Sequence, residues 1–222
     1  MAYICTDSGK KGVFIMYWIH PDFPDASQSF SNCLASMLRQ YNKKNRPLVF
    51  VCIGTPSILG DCLGPVIGSI LSVVPASGNS VPADIYGTLD APVHALNFQD
   101  TCREIKKRHQ KPFIIAIDAA LGNSTQSGYV LLKKGPLHPG KGVGKKLPPI
   151  GHLQITGVFQ DIFAPAAGHQ MARFSRCISQ GILKLYPALQ CPKQSDLIDV
   201  FQIPANGNTA GNPADLDSGR FD

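Results

Sequence analysis

Residues 112–117, PFIIAI, contain no charged or hydrogen-bonding side chain, and this run restricts the fold more than any other part of the chain. A short apolar run rich in β-branched residues predicts a strand that is covered on both faces, as in the parallel sheets of α/β proteins. Leu48–Ile53, LVFVCI, is a second run of this kind. Three further strands are predicted at Ala83–Leu89, Gly128–Lys133 and His152–Phe159.

Segments with helical spacing separate these runs. Apolar residues recur at three- and four-residue intervals across Ser27–Tyr41, which predicts an amphipathic helix. Further helices are predicted from Asp61 to Ser72, from Asp90 or Pro92 onward, and from about Ala166 to Leu185. This order of strands and helices predicts an α/β sandwich with a mainly parallel sheet.

The length of 222 residues suits one sizeable domain with some chain left over. We assign this domain to residues 27–186. Residues 1–26 show no clear period, and we expect them to form an irregular arm. From Pro187 onward the composition turns to Pro, Asn, Asp, Gly and Gln, so residues 187–222 are expected to be a disordered tail.

The composition indicates a soluble cytoplasmic protein. No apolar run approaches the roughly 20 residues of a membrane-spanning helix, and no small-residue cleavage site follows the apolar patch near the N-terminus. The seven cysteines are scattered without a C-x-x-C pair, which argues against a disulfide framework and against a zinc site. We therefore expect neither a membrane association nor a secretory signal.

The chain carries a formal charge of +6. Such an excess can attract nucleic acid or an acidic substrate. None of the basic clusters is interleaved with aromatic residues, so a solvated face accounts for them better than a nucleic-acid partner does. Acidic residues are sparse: Glu104 is the sole glutamate among 15 acidic residues.

Two of these few acidic residues follow buried strands. Asp61 comes after VCIGTPSILG, and Asp118 directly follows IIAI. Neighbouring parallel strands end at the same edge of the sheet, where open α/β sheets build their sites, so both carboxylates are expected there. Each also has a purely structural explanation. Asp61 could cap the helix that follows it, and Asp118 could cap nearby loop amides.

Two carboxylates in one cleft can act as general acid and base, because their proximity raises the pKa of one of them. The same pair can bind a divalent metal if a third ligand is close. His138 is a candidate metal ligand or proton shuttle. His94, at a helix start on the same sheet edge, is a second candidate, with a core or cap role as its alternative.

The loop from Gly135 to Pro149, GPLHPGKGVGKKLPP, combines backbone freedom with a histidine and three lysines. Loops of this composition cradle phosphate or act as mobile substrate-binding flaps. The chain has no G-x-G-x-x-G fingerprint at Gly54, Gly60 and Gly64, and it has no P-loop. Nucleotide binding is therefore weakly supported.

Five blocks occur in order along the chain: VCIGTPSILGDCLGPVIG, YGTLDAPVHALN, PFIIAIDAALG, GPLHPGKGVGKKLPPIG and ITGVF. Together they resemble the YyaC-type sporulation protein family over about residues 28–185. That family is similar to the germination protease of spore-forming bacteria and, more distantly, to hydrogenase maturation proteases.

The resemblance implies a three-layer α/β/α sandwich of the phosphorylase/hydrolase-like type, with a mainly parallel mixed sheet. It implies that Asp61 and Asp118 are the catalytic pair. It also implies that the Gly-rich loop contacts substrate through His138, Gly140, Gly142 and Gly144. The chain departs from the family pattern at His152, where an aspartate is usual.

We therefore expect a cytoplasmic endopeptidase of the sporulating cell or spore. It would hydrolyse a peptide bond in a protein substrate, such as a spore protein, through Asp61 and Asp118 and without a cofactor. One alternative is a peptidase guided by a divalent metal such as nickel or zinc, held by Asp61, Asp118 and either His138 or His94. The other is a non-catalytic binding protein on the same fold. Self-association into a homo-oligomer stays open.

Overall fold

The apolar runs predicted as strands lie at the centre of one sheet. The computed structural model describes residues 2–7, 14–73, 83–140 and 147–190. The strands are β1 (Ala2–Asp7), β2 (Phe14–Ile19), β3 (Leu48–Cys52), β4 (Ala83–Tyr86), β5 (Phe113–Leu121), β6 (Val130–Lys134) and β7 (Leu153–Phe159). The helices are α1 (Ala26–Tyr41), α2 (Leu63–Val73), α3 (Phe98–Arg108) and α4 (Ala167–Gln190).

The sheet has seven strands in the order β1-β2-β6-β7-β5-β3-β4. Strands β4, β3, β5 and β7 are parallel neighbours. The remaining pairs, β7 with β6, β6 with β2 and β2 with β1, are antiparallel. The prediction of a mainly parallel mixed sheet is therefore confirmed.

Helices cover both faces of the sheet. Strand β5 alternates between the faces: Ile115 and Ile117 join a large core cluster with α1, α2 and α4, whereas Ala116 joins a smaller cluster with α3. Because residues of β5 are buried on both faces of the sheet, the strand carries no polar residue before Asp118. The three-layer α/β/α sandwich is thus confirmed. Within the described residues, no helix combines the length and apolar character that a membrane crossing requires.

The prediction that residues 1–26 form an irregular arm is wrong for two segments. Residues 2–7 and 14–19 form β1 and β2, and β2 pairs with β6. Tyr17 and Ile19 are buried in the main core. Pairing with a strand more than 100 residues away stabilises this segment, and local periodicity carries no signal of such a partner. The domain therefore begins before residue 27.

The helix predicted from Asp90 or Pro92 begins at Phe98 instead. Val93 remains extended beside Ile53 in an isolated parallel bridge, so the chain cannot turn helical there. The Asn97 side chain then accepts a hydrogen bond from the His94 N–H and donates one to the Pro92 carbonyl. Helix α4 extends to Gln190, past its predicted end, and residues 191–222 of the predicted tail lie outside the described part.

Glycines allow α2 to approach the sheet closely. A Cβ atom at Gly64 would overlap the Ile53 backbone, and one at Gly68 would overlap the carbonyl oxygen of Gly87. Gly87 itself lies against the Cys52 carbonyl. This contact fixes α2, and the loop that precedes it, against the carboxyl ends of β3 and β4.

Replacing Gly64 by Ala should therefore destabilise the fold, because the added methyl group has to displace backbone atoms. We expect a loss of about 1–3 kcal/mol in the free energy of unfolding, measured by urea denaturation. Gly168→Ala in α4 is the matched control, since its Cβ would meet only the Leu59 side chain at 3.7 Å. Equal stability of the two variants would contradict the close packing of α2.

Candidate active site

Asp61 is held by the loop that leads from β3 to α2. The Thr55 N–H donates a hydrogen bond of 2.8 Å to Oδ2 of Asp61. Gly54 has a φ of +151°, and a Cβ atom there would overlap the Asp61 carbonyl oxygen. The loop therefore closes tightly over the end of β3 and fixes the carboxylate beside it.

Asp61 does not cap α2, which was its structural alternative. The helix begins at Leu63, and the hydrogen bond of the Asp61 carboxylate goes back to Thr55 in the loop. A carboxylate that holds its own loop in place is also fixed in orientation, as a catalytic group needs to be.

Asp118 lies within β5, not at its end as predicted. The strand continues to Leu121, and Asp118 is paired with Thr156 of β7. The last β3 partner of β5 is Cys52, opposite Ile117, so the pairing of β5 with β3 ends just before Asp118. Asp118 Oδ1 accepts a hydrogen bond of 2.8 Å from the N–H of Ala119.

The two carboxylates interact electrostatically. Burial raises the pKa of Asp118 well above its ordinary value of 3.8, and the negative charge of Asp61 raises it further. The hydrogen bond from Ala119 opposes this shift only in part. Asp118 therefore holds its proton at higher pH than an ordinary aspartic acid does. A carboxyl group that keeps its proton beside a second aspartate is what a general acid and base pair requires.

The structure does not assemble the predicted metal ligands. Among the described residues, no group of three or more His, Cys, Asp and Glu side chains is placed to hold a metal ion. His138 is exposed, and His94 accepts a hydrogen bond from the Leu96 N–H through Nδ1. The acid pair therefore has two carboxylates and no third ligand within the described part of the chain.

Part of the Gly-rich loop covers the face of the sheet on which Asp118 lies. Leu137 pairs with Ile150, and both side chains pack in the smaller core cluster with Ala116. Gly140 has a φ of +78°. The predicted substrate contacts Gly142 and Gly144 lie outside the described residues.

His152, at the position where the resemblance led us to expect an aspartate, lies away from the acid pair. Its Nδ1 accepts a hydrogen bond of 3.0 Å from the Ile114 N–H, and its ring stacks on Phe113 at 4.9 Å. Burial and the charge of Arg46 lower the pKa of His152, so it is neutral near pH 7. Residue 114 precedes Asp118 by four positions, about 13 Å along the strand. A histidine at position 152 therefore removes no carboxylate from the acid pair.

Exposed apolar side chains surround the carboxyl edge of the sheet. Leu59 is 50% exposed, Leu121 is 50% exposed and Phe163 is 69% exposed. The loop that carries Leu59 is joined to the loop that carries Phe163 by a hydrogen bond of 3.0 Å from the Gly60 N–H to the Ile162 carbonyl. An apolar rim beside buried carboxylates suits a substrate with apolar side chains.

The sequence interpretation missed two groups of contacts. Thr55 orients Asp61 through a backbone amide, which every residue other than proline has, so no residue type could indicate it. His109 was given no role, yet its Nε2 lies 3.0 Å from the Tyr86 hydroxyl and its Nδ1 lies 3.7 Å from Oδ2 of Asp84. These three residues come from β4 and the end of α3, and only the fold brings them together.

Comparison with known proteins places this site within a family. The family model described as "Protein of unknown function (DUF1256)" matches residues 19–174, a range that contains both aspartates. The chain belongs to this family. It is also 42% identical over 142 residues to "Uncharacterized protein YyaC" of Bacillus subtilis (strain 168), an alignment that covers 64% of this chain and 66% of the relative. The predicted YyaC-type relationship is therefore confirmed.

The raised pKa of Asp118 predicts a pH-dependent effect of Asp118→Asn on stability. Between pH 3.8 and the raised pKa, the folded chain keeps a proton on Asp118 that the unfolded chain releases, so the wild type loses stability as pH rises. The Asp118→Asn variant has no carboxyl group at this position, so it does not lose stability in this way as pH rises. We expect its Tm to exceed that of the wild type by about 2–4 °C at neutral pH, and the difference to vanish at low pH.

Differential scanning calorimetry from pH 3 to pH 8 measures this difference. Asp90→Asn, at an exposed aspartate near the same edge, is the matched control and should show no such trend. A Tm difference for Asp118→Asn that does not change with pH would mean that Asp118 has an ordinary pKa.

Proposed function

We propose that this protein is an endopeptidase of spore formation or germination that hydrolyses a peptide bond in a protein substrate through Asp61 and Asp118. The proposal is carried by two carboxylates that backbone amides hold in place, one of which, Asp118, has a pKa raised by burial and by the charge of Asp61. The similarity of the YyaC-type blocks to the germination protease of spore-forming bacteria supports the same chemistry and gives the biological setting.

In this mechanism Asp61 is the general base and Asp118 is the general acid. The Asp61 carboxylate takes a proton from a water molecule, whose oxygen attacks the peptide carbonyl carbon. Asp118 gives its proton to the carbonyl oxygen, and a neutral tetrahedral diol results. Asp61 then passes its proton to the departing amine, the C–N bond breaks, and Asp118 recovers a proton from the diol.

The surroundings of the pair suit a polypeptide. The apolar rim of Leu59, Leu121 and Phe163 offers contacts for apolar side chains on either side of a scissile bond. The half-buried setting of Asp118 limits the access of water and strengthens the interaction between the two carboxylates. A protein substrate, including a spore protein, therefore fits better than a small ion or a nucleotide.

Asp61→Asn and Asp118→Asn should each reduce cleavage about 100-fold or more, because each removes one proton-transfer group. The substrate is a protein extract of spores from a spore-forming bacterium, and the readout is the number of new peptide termini found by mass spectrometry. Cleavage by the wild type should fall as pH rises through the pKa of Asp118, since the acid is then deprotonated. EDTA should leave the rate unchanged, because the pair acts without a metal.

Asp90→Asn serves as the control for surface charge near the site and should cut as the wild type does. Circular dichroism of every variant separates loss of chemistry from loss of fold. Full cleavage by folded Asp61→Asn or Asp118→Asn protein would refute the aspartate mechanism, and a wild type that produces no new termini would refute the peptidase proposal.

A further inference from the structure

A cleft runs beside β4, the strand at one edge of the sheet. Within the described residues β4 pairs with β3 on one side and has no strand on the other. The cleft has a volume of about 540 Å³ and follows the backbone of five consecutive residues, 84–88. Thr101, Glu104 and Arg108 of α3 form its opposite wall.

The strand wall of this cleft is fixed by buried polar contacts. His109 is 9% exposed and lies between the Tyr86 hydroxyl and the Asp84 carboxylate. Burial and the charge of Glu104 raise the pKa of Tyr86, and its hydroxyl forms a hydrogen bond of 3.0 Å with Nε2 of His109. The edge strand is thereby presented in one conformation.

The charge of the cleft is opposite in sign to that of the chain as a whole. Asp84 and Glu104 line it, against the single positive charge of Arg108, whereas the full chain carries +6. Glu104 makes no ion pair among the described residues and is exposed. The cleft therefore favours a basic side chain on whatever lies in it.

One end of the cleft lies next to the loop that carries Asp61. Val93 and His94 line that end, and Val93 pairs with Ile53 in the isolated bridge. The Val93 carbonyl accepts a hydrogen bond of 2.9 Å from the N–H of Gly54, whose neighbour Thr55 holds the Asp61 carboxylate. A chain segment that follows β4 toward its carboxyl end therefore approaches the loop that carries Asp61, the proposed base.

We propose that an extended segment of the polypeptide substrate binds in this cleft as an additional strand on β4 and places a basic side chain against Glu104. An edge strand offers free backbone N–H and C=O groups, which bind any extended chain, while the pockets beside it select side chains. The β4 residues that line the cleft, 84–86, span about 10 Å of extended backbone, which suits a short extended segment of a polypeptide. The inference rests on the proposed function and names where the substrate binds.

Peptide binding to the full-length Asp118→Asn variant tests this inference without cleavage. The probe is a capped, fluorescein-labelled octapeptide of alternating threonine and lysine, and fluorescence anisotropy gives its Kd. Glu104→Lys should raise the Kd about tenfold or more, because it places like charges together. Asp25→Lys makes the same change of charge at an exposed residue on another part of the surface, and its Kd should stay unchanged.

Backbone methylation tests strand pairing directly. Alternate backbone N–H groups of an extended peptide point to opposite edges. Methylating the backbone nitrogens of all lysine residues therefore blocks one edge of the peptide, and methylating those of all threonine residues blocks the other. We expect one of the two methylated peptides to lose binding and the other to keep it. The inference would be overturned if both methylated peptides lost binding or if neither did. It would also be overturned if Glu104→Lys had no effect, or if the parent peptide showed no saturable binding.

These outcomes are distinct from failure of the proposed function. If the wild type cuts spore proteins but the peptide binds without regard to Glu104 and to methylation, the binding cleft is refuted and the peptidase stands. If the peptide binds as expected but nothing is cut, the cleft stands as a polypeptide-binding site and the peptidase is refuted.

Discussion

The proposed chemistry depends on the burial of Asp118 beside the negative charge of Asp61 at one edge of a parallel sheet. Burial of Asp118 and the nearby charge of Asp61 together raise the pKa of Asp118, and this unfavourable arrangement has to be maintained by the rest of the fold. Groups that are held against their own electrostatic preference cluster at functional sites, which is why this pair stands out from the other acidic residues.

The fold maintains the pair through close backbone contacts. Strands β3 and β5 are direct parallel neighbours, so the loop after β3 and the continuation of β5 come together at one edge. Gly64 and Gly54 let α2 and the loop approach β3 closely, and the Thr55 N–H then holds the Asp61 carboxylate. Glycines, which have no side chain, thus help to determine where the Asp61 carboxylate lies.

The central part of the fold could be predicted because burial on both faces leaves a strong trace in the sequence. The runs that became β3 and β5 are almost wholly apolar, that of β7 is mostly apolar, and the predicted ends differ from the observed ones by a few residues. Strands β1 and β2 were missed because their stability comes from pairing with β6, far away in the chain. The start of α3 was misplaced because Val93 is held extended by Ile53, which is again a tertiary contact.

The same difference between local sequence patterns and tertiary contacts decides what could be predicted of the site. Asp61 and Asp118 could be predicted because each follows a recognisable apolar run, whereas the amide of Thr55 and the group of Asp84, Tyr86 and His109 arise from the folded backbone and leave no pattern of residue types. The alternative metal group, two aspartates with His138 or His94, does not form among the described residues. Sequence order alone does not fix where a histidine side chain points.

The measurement that tests the central claim most directly is an NMR titration of the aspartate carboxyl carbons in the wild type and in Asp61→Asn. If the carboxylates are coupled, Asp118 titrates well above 3.8 in the wild type, and its apparent pKa falls when the charge at position 61 is removed. An Asp118 that titrates near 3.8 in the wild type, or that is unaffected by Asp61→Asn, would contradict the coupling on which the proposed mechanism rests.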